Sequence, residues 1–272
     1  MFLIRLTILL LLCPLLTQAA ELRKRSGSTN VQRMQERNSF GLAVLRTISK
    51  DMPTGGSYSA TPEDVTRVAE QAVVWSDSRQ QLLISPHKAA PTFCSAACYM
   101  VMLRALQRWE QQSGYKLPPA VWQALDVKPN QPDGTGAWGR ANANGPGLAR
   151  LVNELKVGIN FRDVRQAQPG DFLKIFWSDN IGAHERGHLV VYLGLEKKNG
   201  TTHLRYWSAN KPGGYGIKSV PLSRMHNLIF SRITTPQNFV RTPALPVHDP
   251  WLSAMQSRDF SFAEVCRACN IR

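Results

Sequence analysis

The chain has 272 residues, of which 43% are hydrophobic, enough for one substantial core with excursions or for two small domains. Its 19 glycines and 17 prolines are near ordinary usage, which excludes a repetitive or fibrous protein. The formal net charge of +14 calls for anionic partners, but no zinc-finger spacing or aromatic-basic module accompanies it, which argues against nucleic acid.

The first residues bear on destination. Arg5 is followed by an apolar run over residues 6–16 and then by Thr17-Gln18-Ala19-Ala20. A basic start, an apolar centre and a small-residue end read as a secretory signal peptide over residues 1–20. Cys13 is followed by Pro14 and has no small residues before it, which argues against a lipid-modified start. No later run is long and apolar enough to span a membrane. The expectation is a mature protein that is periplasmic or secreted, without a transmembrane anchor. There, an anionic envelope polymer replaces nucleic acid as the expected partner.

Residues 21–60 read as a basic extension, with Arg23-Lys24-Arg25, followed by a short helix whose apolar residues fall between Val31 and Ile48. Thr61-Pro62-Glu63-Asp64 has the spacing of a helix start, and Val65, Val68, Ala69, Ala72 and Val73 give an apolar face. A packing helix is expected over residues 61–79. Residues 81–87 read as a short extended segment, in which Gln81 and His87 are positional guesses for groups near a site.

Pro91-Thr92-Phe93-Cys94-Ser95-Ala96-Ala97-Cys98 opens the next element. Thr92 is a candidate cap, and the small and apolar residues after it predict a largely buried helix running to about residue 112. Cys94 then falls in the first turn, where free N–H groups and the helix dipole favour a thiolate. Residues 121–147 are the least regular, and in them Trp138, Asn142 and Asn144 are expected in a substrate-binding loop, with Arg140 among its polar groups. Residues 148–155 predict a short helix.

Strands are expected over residues 157–161, 171–177, 188–194 and 203–210, with Gln168-Pro169-Gly170-Asp171 turning the chain between the first two. Lys198-Asn199-Gly200 predicts an antiparallel hairpin. A loop over residues 211–216 leads to a further strand over 217–220, and residues 222–233 add a strand or an irregular core piece. The core domain is expected over residues 61–235. Residues 236–272 read as a wrapping tail with helical character near its end.

A helix cysteine followed by a histidine at the start of a sheet hairpin is the arrangement of a cysteine hydrolase. His188, Val190 and Tyr192 share one face of their strand, and Tyr206, Ser208 and Asn210 share one on the next. Asn210 or Ser208 is therefore placed to fix the tautomer of His188, which would activate Cys94 and protonate the departing amine. The backbone N–H groups of Cys94 and Ser95 are candidates for steadying the oxyanion.

Thr92-Phe93-Cys94-Ser95-Ala96-Ala97, Gln168-Pro169-Gly170-Asp171-Phe172 and Gly187-His188-Leu189-Val190-Val191-Tyr192-Leu193-Gly194, in that order, resemble the NlpC-like and CHAP group of papain-like cysteine peptidases and amidases. The resemblance covers residues 85–221. It implies an α+β fold in which a papain-like helix packs on an antiparallel sheet, here with additional N-terminal helices and a C-terminal extension. It also implies hydrolysis of peptide or amide bonds, with peptidoglycan peptide as the expected substrate, Cys94 as nucleophile and His188 as base. The chain departs from the pattern in having Phe93 where aspartate is common, and Ser208 and Asn210 where many members have histidine.

No cofactor or metal is expected. A metal site from His184, His188 and His203 lacks a well-spaced acidic ligand or general base. His226 and His248 read as structural. Of the cysteines after the signal, Cys94 is expected to be free, with either Cys98 joined to one tail cysteine or Cys266 joined to Cys269. The alternative to an enzyme is a non-catalytic envelope-binding or structural domain with its cysteines in disulfides.

Overall fold

The structure is a computed structural model and describes residues 39–271. The secretory signal and the basic cluster at residues 23–25 lie outside the described residues.

Helix α1 (Ser39–Lys50) buries Phe40, Ala43, Val44 and Thr47, the i, i+3, i+4, i+7 spacing of a one-sided helix. In α2 (Pro62–Arg67), Thr61 accepts from the Asp64 N–H while the Asp64 carboxylate accepts from the Thr61 N–H, and Pro62 takes the first position. The helix does not continue to residue 79. A π turn over Val68–Ala72 passes into β1 (Val73–Ser76), which pairs antiparallel with β2 (Gln81–Ile84). Helical spacing ends at Ala72, because Val73, Val74 and Trp75 favour extended backbone and Asp77-Ser78-Arg79-Gln80 turns the chain, with Gln80 at φ +48°. The hairpin also gives β2 the backbone partners that a lone extended segment would lack.

Helix α3 (Cys94–Ser113) is 20 residues long and is buried along most of its surface. Gly114, at φ +74°, ends it by donating its N–H to the Glu110 carbonyl. Its cap position is Phe93, not Thr92. Thr92 is fully buried and extended, and its backbone is used by a neighbouring loop: its N–H donates to Ser57 O (3.3 Å) and its carbonyl accepts from Ser59 N–H (3.1 Å).

After α4 (Pro119–Ala124), the stretch expected to be irregular folds in part into α5 (Gly136–Asn142), and the short helix expected over residues 148–155 is α6 (Gly147–Leu155). Arg140 explains why so turn-rich a segment orders. Its guanidinium is fully buried and gathers Glu154 (2.7 Å) and the carbonyls of Gly134 (3.0 Å), Gly136 (2.9 Å) and Pro246 (2.9 Å).

The remaining strands are β3 (Gly158–Phe161), β4 (Phe172–Phe176), β5 (Ile181–Gly182), β6 (Gly187–Lys198), β7 (Thr201–Asn210), β8 (Gly214–Pro221), β9 (Asn227–Ile233) and β10 (Asp259–Phe260). Six form one antiparallel sheet in the order β3-β9-β4-β6-β7-β8. Asn199 (φ +49°) and Gly200 (φ +76°) make the tight turn of the β6–β7 hairpin. The segment left open as strand or irregular core is β9, inserted between β3 and β4. At the β3–β4 turn, Gly170 takes φ +96°, and a Cβ there would lie 2.5 Å from the Gly41 carbonyl. Asp171 closes that turn by accepting from Gln168 N–H (2.7 Å) and pairing with Arg232 (2.7 Å).

The fold is therefore α+β, an antiparallel sheet packed against helices. Phe172, Leu189, Val191, Trp207 and Ala209 join the α3 side chains in one apolar cluster. Leu173, Ile175, Val190, Tyr192, Leu204, Tyr206 and Phe230 form another on the opposite face, the alternation that a strand's two-residue period demands. The tail does more than wrap. Leu252 in α7 (Pro250–Ala254) and Val265 in α8 (Phe262–Ala268) build a third cluster with Phe176, Ile181, Met255 and Phe260.

Candidate active site

The first turn of α3 meets the beginning of β6 at the end of the sheet. Cys94 and Ser95 line a cleft of about 520 Å³ together with Gly187 and Leu189 of β6. One helical turn further on, Cys98 donates its S–H to the Leu189 carbonyl at 3.4 Å, which fixes helix against strand.

Cys94 is half-buried. Burial opposes ionisation of its thiol, but hydrogen bonding and charge from His188, the Leu189 N–H and the Lys174 ammonium outweigh it and lower the pKa from 9.0 to about 6. Lys174 lies on β4 and is itself ion-paired with Glu185. The other three thiols, of which Cys98 and Cys269 are buried, are shifted the opposite way. Burial, then the charge of Cys94, holds Cys98 well above the usual range; burial raises Cys266; and burial pushes Cys269 up to about 12. Cys94, Cys98, Cys266 and Cys269 are all free, so neither of the expected disulfide pairings is formed in this structure.

His188, the second residue of β6, shares a strand face with Val190 and Tyr192. Its hydrogen bonding and charge are the chief influences that favour the Cys94 thiolate. Its Nε2 is 3.3 Å from Asn210 Oδ1. The Asn210 amide is in turn fixed by donating to Ser208 O and Gly216 O, both at 2.9 Å. Tyr206 stands edge-on to the imidazole at 5.6 Å between ring centres. Ser208, the other candidate, does not reach His188, because its hydroxyl donates to the Leu189 carbonyl at 2.8 Å.

Of the residues expected in a substrate-binding loop, Asn142 and Asn144 line the cleft and Trp138 does not. Trp138 is fully buried beneath it, 5.1 Å from Tyr99 and 6.4 Å from Phe93 between ring centres. Folding of its segment into α5 turns the indole into core, so it offers no platform to a ligand. The Ser95 hydroxyl donates to Asn142 Oδ1 at 2.6 Å, which leaves the Asn142 amide N–H groups for the cleft. Asp133 lines the same space without an ion-pair partner among the described residues, and burial raises its pKa.

The remaining positional guesses lie elsewhere. His87 is exposed on a 3₁₀ turn, and Gln81 donates to Glu110 at 2.8 Å. His184 pairs with Asp259 (3.0 Å) and His203 faces Thr201 O (3.2 Å), so they do not converge with His188 on a metal. His226 lies 3.4 Å from Asp179, and His248 contacts Thr135 (3.2 Å) and Ser253 (3.1 Å).

Tyr58 is the residue that sequence reasoning missed. Its hydroxyl donates towards Cys94 Sγ at 3.9 Å, and burial, then the charge of Cys94, keeps it protonated as a donor. The loop that carries it is stitched on both sides, to Thr92 as above and to β8 through Gly55 N–H to Tyr215 O (2.8 Å) and Tyr215 N–H to Gly55 O (2.9 Å). Gly55 and Gly56, both at positive φ, give this loop its tight path, and nothing in their spacing points to the thiol.

Among the described residues no helix is long and apolar enough to cross a membrane. No protein-family model, curated protein or solved structure matches the chain, and the chemistry of the site rests on its own geometry.

Proposed function

We propose that this protein is an exported cysteine hydrolase of the papain-like type, cleaving a peptide or amide bond by way of an acyl-enzyme. The observation that carries the reading is the half-buried Cys94 in the first turn of a helix, with its pKa lowered to about 6 beside His188 while burial raises the other three thiols. Depressed thiol pKa at a helix start in an open cleft is what nucleophilic cysteines require.

In this reading His188 takes the Cys94 proton and the thiolate attacks the carbonyl carbon. The first N–H groups of α3 have no partner within the helix, so those of Cys94 and Ser95 receive the oxyanion, with the Tyr58 hydroxyl alongside. His188 then gives its proton to the departing amine as the C–N bond breaks, leaving a thioester on Cys94. A water molecule deprotonated by His188 releases the acid and restores the thiol. Asn210 positions the ring throughout.

Peptidoglycan peptide is the proposed substrate, on the strength of the resemblance and of the leader expected over residues 1–20. The +14 charge supports an anionic envelope polymer as the setting. The free thiols do not support the alternative of a disulfide-tied binding domain. The test is incubation of purified peptidoglycan with the mature protein, with released amines and fragments identified by mass spectrometry. New fragments that vanish with Cys94→Ala are expected. Intact peptidoglycan and unaltered small amides after treatment with a protein whose Cys94 is reduced would count against the reading.

A further inference from the structure

Tyr58 and Gly187 divide the cleft into two lobes, since both line the space that holds Cys94 and also a second space of about 240 Å³ that holds His188 and Asn210. The two lobes differ in charge. The cysteine lobe contains Asp133, Glu185 and Lys174, with the last two paired to each other. The histidine lobe has no acidic residue in its lining and has two lysines, Lys211 and Lys218. Neither ammonium has a carboxylate partner among the described residues. Lys218 donates to the Lys211 carbonyl at 3.0 Å, which tethers its ammonium at the rim of this lobe instead of leaving it to sweep through solvent.

The direction of reaction gives the lobes different meanings. A histidine that protonates the departing nitrogen must have that nitrogen on its own side, so the departing fragment occupies the His188 lobe and the acyl part the Cys94 lobe. Two unpaired ammonium groups in a small, partly enclosed space attract an anion more strongly than lysines on an open face. Trp177, which also lines this lobe, continues into a broader groove of about 790 Å³ that carries Arg186 and Arg224 together with Glu185, so the acid-free lining is confined to the histidine lobe itself.

We propose that Lys211 and Lys218 form a carboxylate-recognition site for the departing half of the substrate. The enzyme then selects bonds whose amine side is an amino acid or short peptide bearing a free carboxylate close to the scissile nitrogen. The inference rests on the hydrolase reading, because it takes its direction from the role of His188. It extends that reading from a class of bond to a side of the bond and a charge.

The test uses charged thiol reagents on the mature protein, with peptide mapping to isolate the rate at Cys94. The negatively charged 2-sulfonatoethyl methanethiosulfonate is compared with neutral methyl methanethiosulfonate, the sulfonate standing in for a carboxylate. The ratio of anionic to neutral labelling is expected to fall about five-fold in the Lys211→Gln, Lys218→Gln double variant, with the neutral rate unchanged. A Lys116→Gln control should leave the ratio unaltered, because Lys116 follows the far end of α3, about 30 Å from Cys94 along a 20-residue helix. An equal ratio in the wild type and the double variant would overturn the carboxylate site alone. Failure of the neutral reagent to label Cys94 in the folded wild type would overturn the hydrolase reading, and the site with it.

Discussion

The Tyr58 hydroxyl stands 3.9 Å from the Cys94 sulfur, on a loop tied by backbone hydrogen bonds to the segment that leads into α3. A neutral donor held there stabilises the thiolate over the thiol, and the same hydroxyl is available to an oxyanion formed at the same point. Tyr58→Phe removes the donor and keeps the ring. A hydrogen bond to a charged group contributes about 1.5–3 kcal/mol, so the alkylation midpoint of Cys94 is expected to rise by about 1–2 pH units, and its rate with iodoacetamide near pH 6 to fall by about five-fold or more. If the rate is unchanged while turnover falls, the hydroxyl serves the oxyanion and not the thiolate.

The pH dependence of alkylation reads the Cys94–His188 relationship directly. With the thiol pKa lowered to about 6, the rate rises through pH 6 and levels off as the thiolate population saturates. His188→Ala removes the main lowering influence while burial remains. The midpoint is then expected to move above that of an ordinary thiol, about 8.5. A stopped-flow series from pH 4 to 10 on both proteins checks it, and coincident midpoints would remove His188 from the site.

Asn210 and Ser208 lie on the same face of β7, yet only one of them meets the imidazole. Asn210→Ala frees the ring of its 3.3 Å partner and is expected to lower turnover about ten-fold, with little effect on substrate affinity. Ser208→Ala removes the hydroxyl bonded to Leu189 O, and this buried loss costs about 1 kcal/mol of stability without displacing His188. Paired urea titrations and kcat measurements separate the two effects.

Much of this arrangement was legible in the residues. The Thr61 capping box, the Gln168–Asp171 turn and the Lys198–Gly200 hairpin are local devices, each set by a few neighbouring side chains, and they fold as their spacing predicts. What local spacing could not supply is long-range pairing. β9 enters the sheet between two strands far from it in sequence, whereas Val73 to Ser76 pair with Gln81 to Ile84 across a four-residue turn, a local signal that the helical spacing of the apolar residues masked. Trp138 looked like a platform because glycines and asparagines surround it, and it is core because Arg140 orders the same segment. Tyr58 was invisible for the related reason that its approach to Cys94 is made across 36 residues by backbone bridges.

Arg140 offers the sharpest test of how that segment is held. It is 0% exposed, and its donors are spent on Glu154 and three carbonyls, so the cost of burying its charge is met only while all four acceptors are in place. Arg140→Ala leaves Glu154 with only the more distant Arg150 (3.5 Å) and takes a donor from three carbonyls, of which Gly134 O keeps the Asp249 N–H. The expected loss is about 3–5 kcal/mol of unfolding free energy, seen as a large drop in the urea midpoint. Arg140→Lys keeps the charge but cannot span the same acceptors, so an intermediate loss is expected. Asn142 and Asn144 follow Arg140 into the cleft, whereas the groups that set the Cys94 pKa lie on β4 and β6. The lysine variant should therefore keep the alkylation midpoint of the wild type while weakening substrate binding. A shifted midpoint instead would mean that the α5 segment reaches the thiol itself.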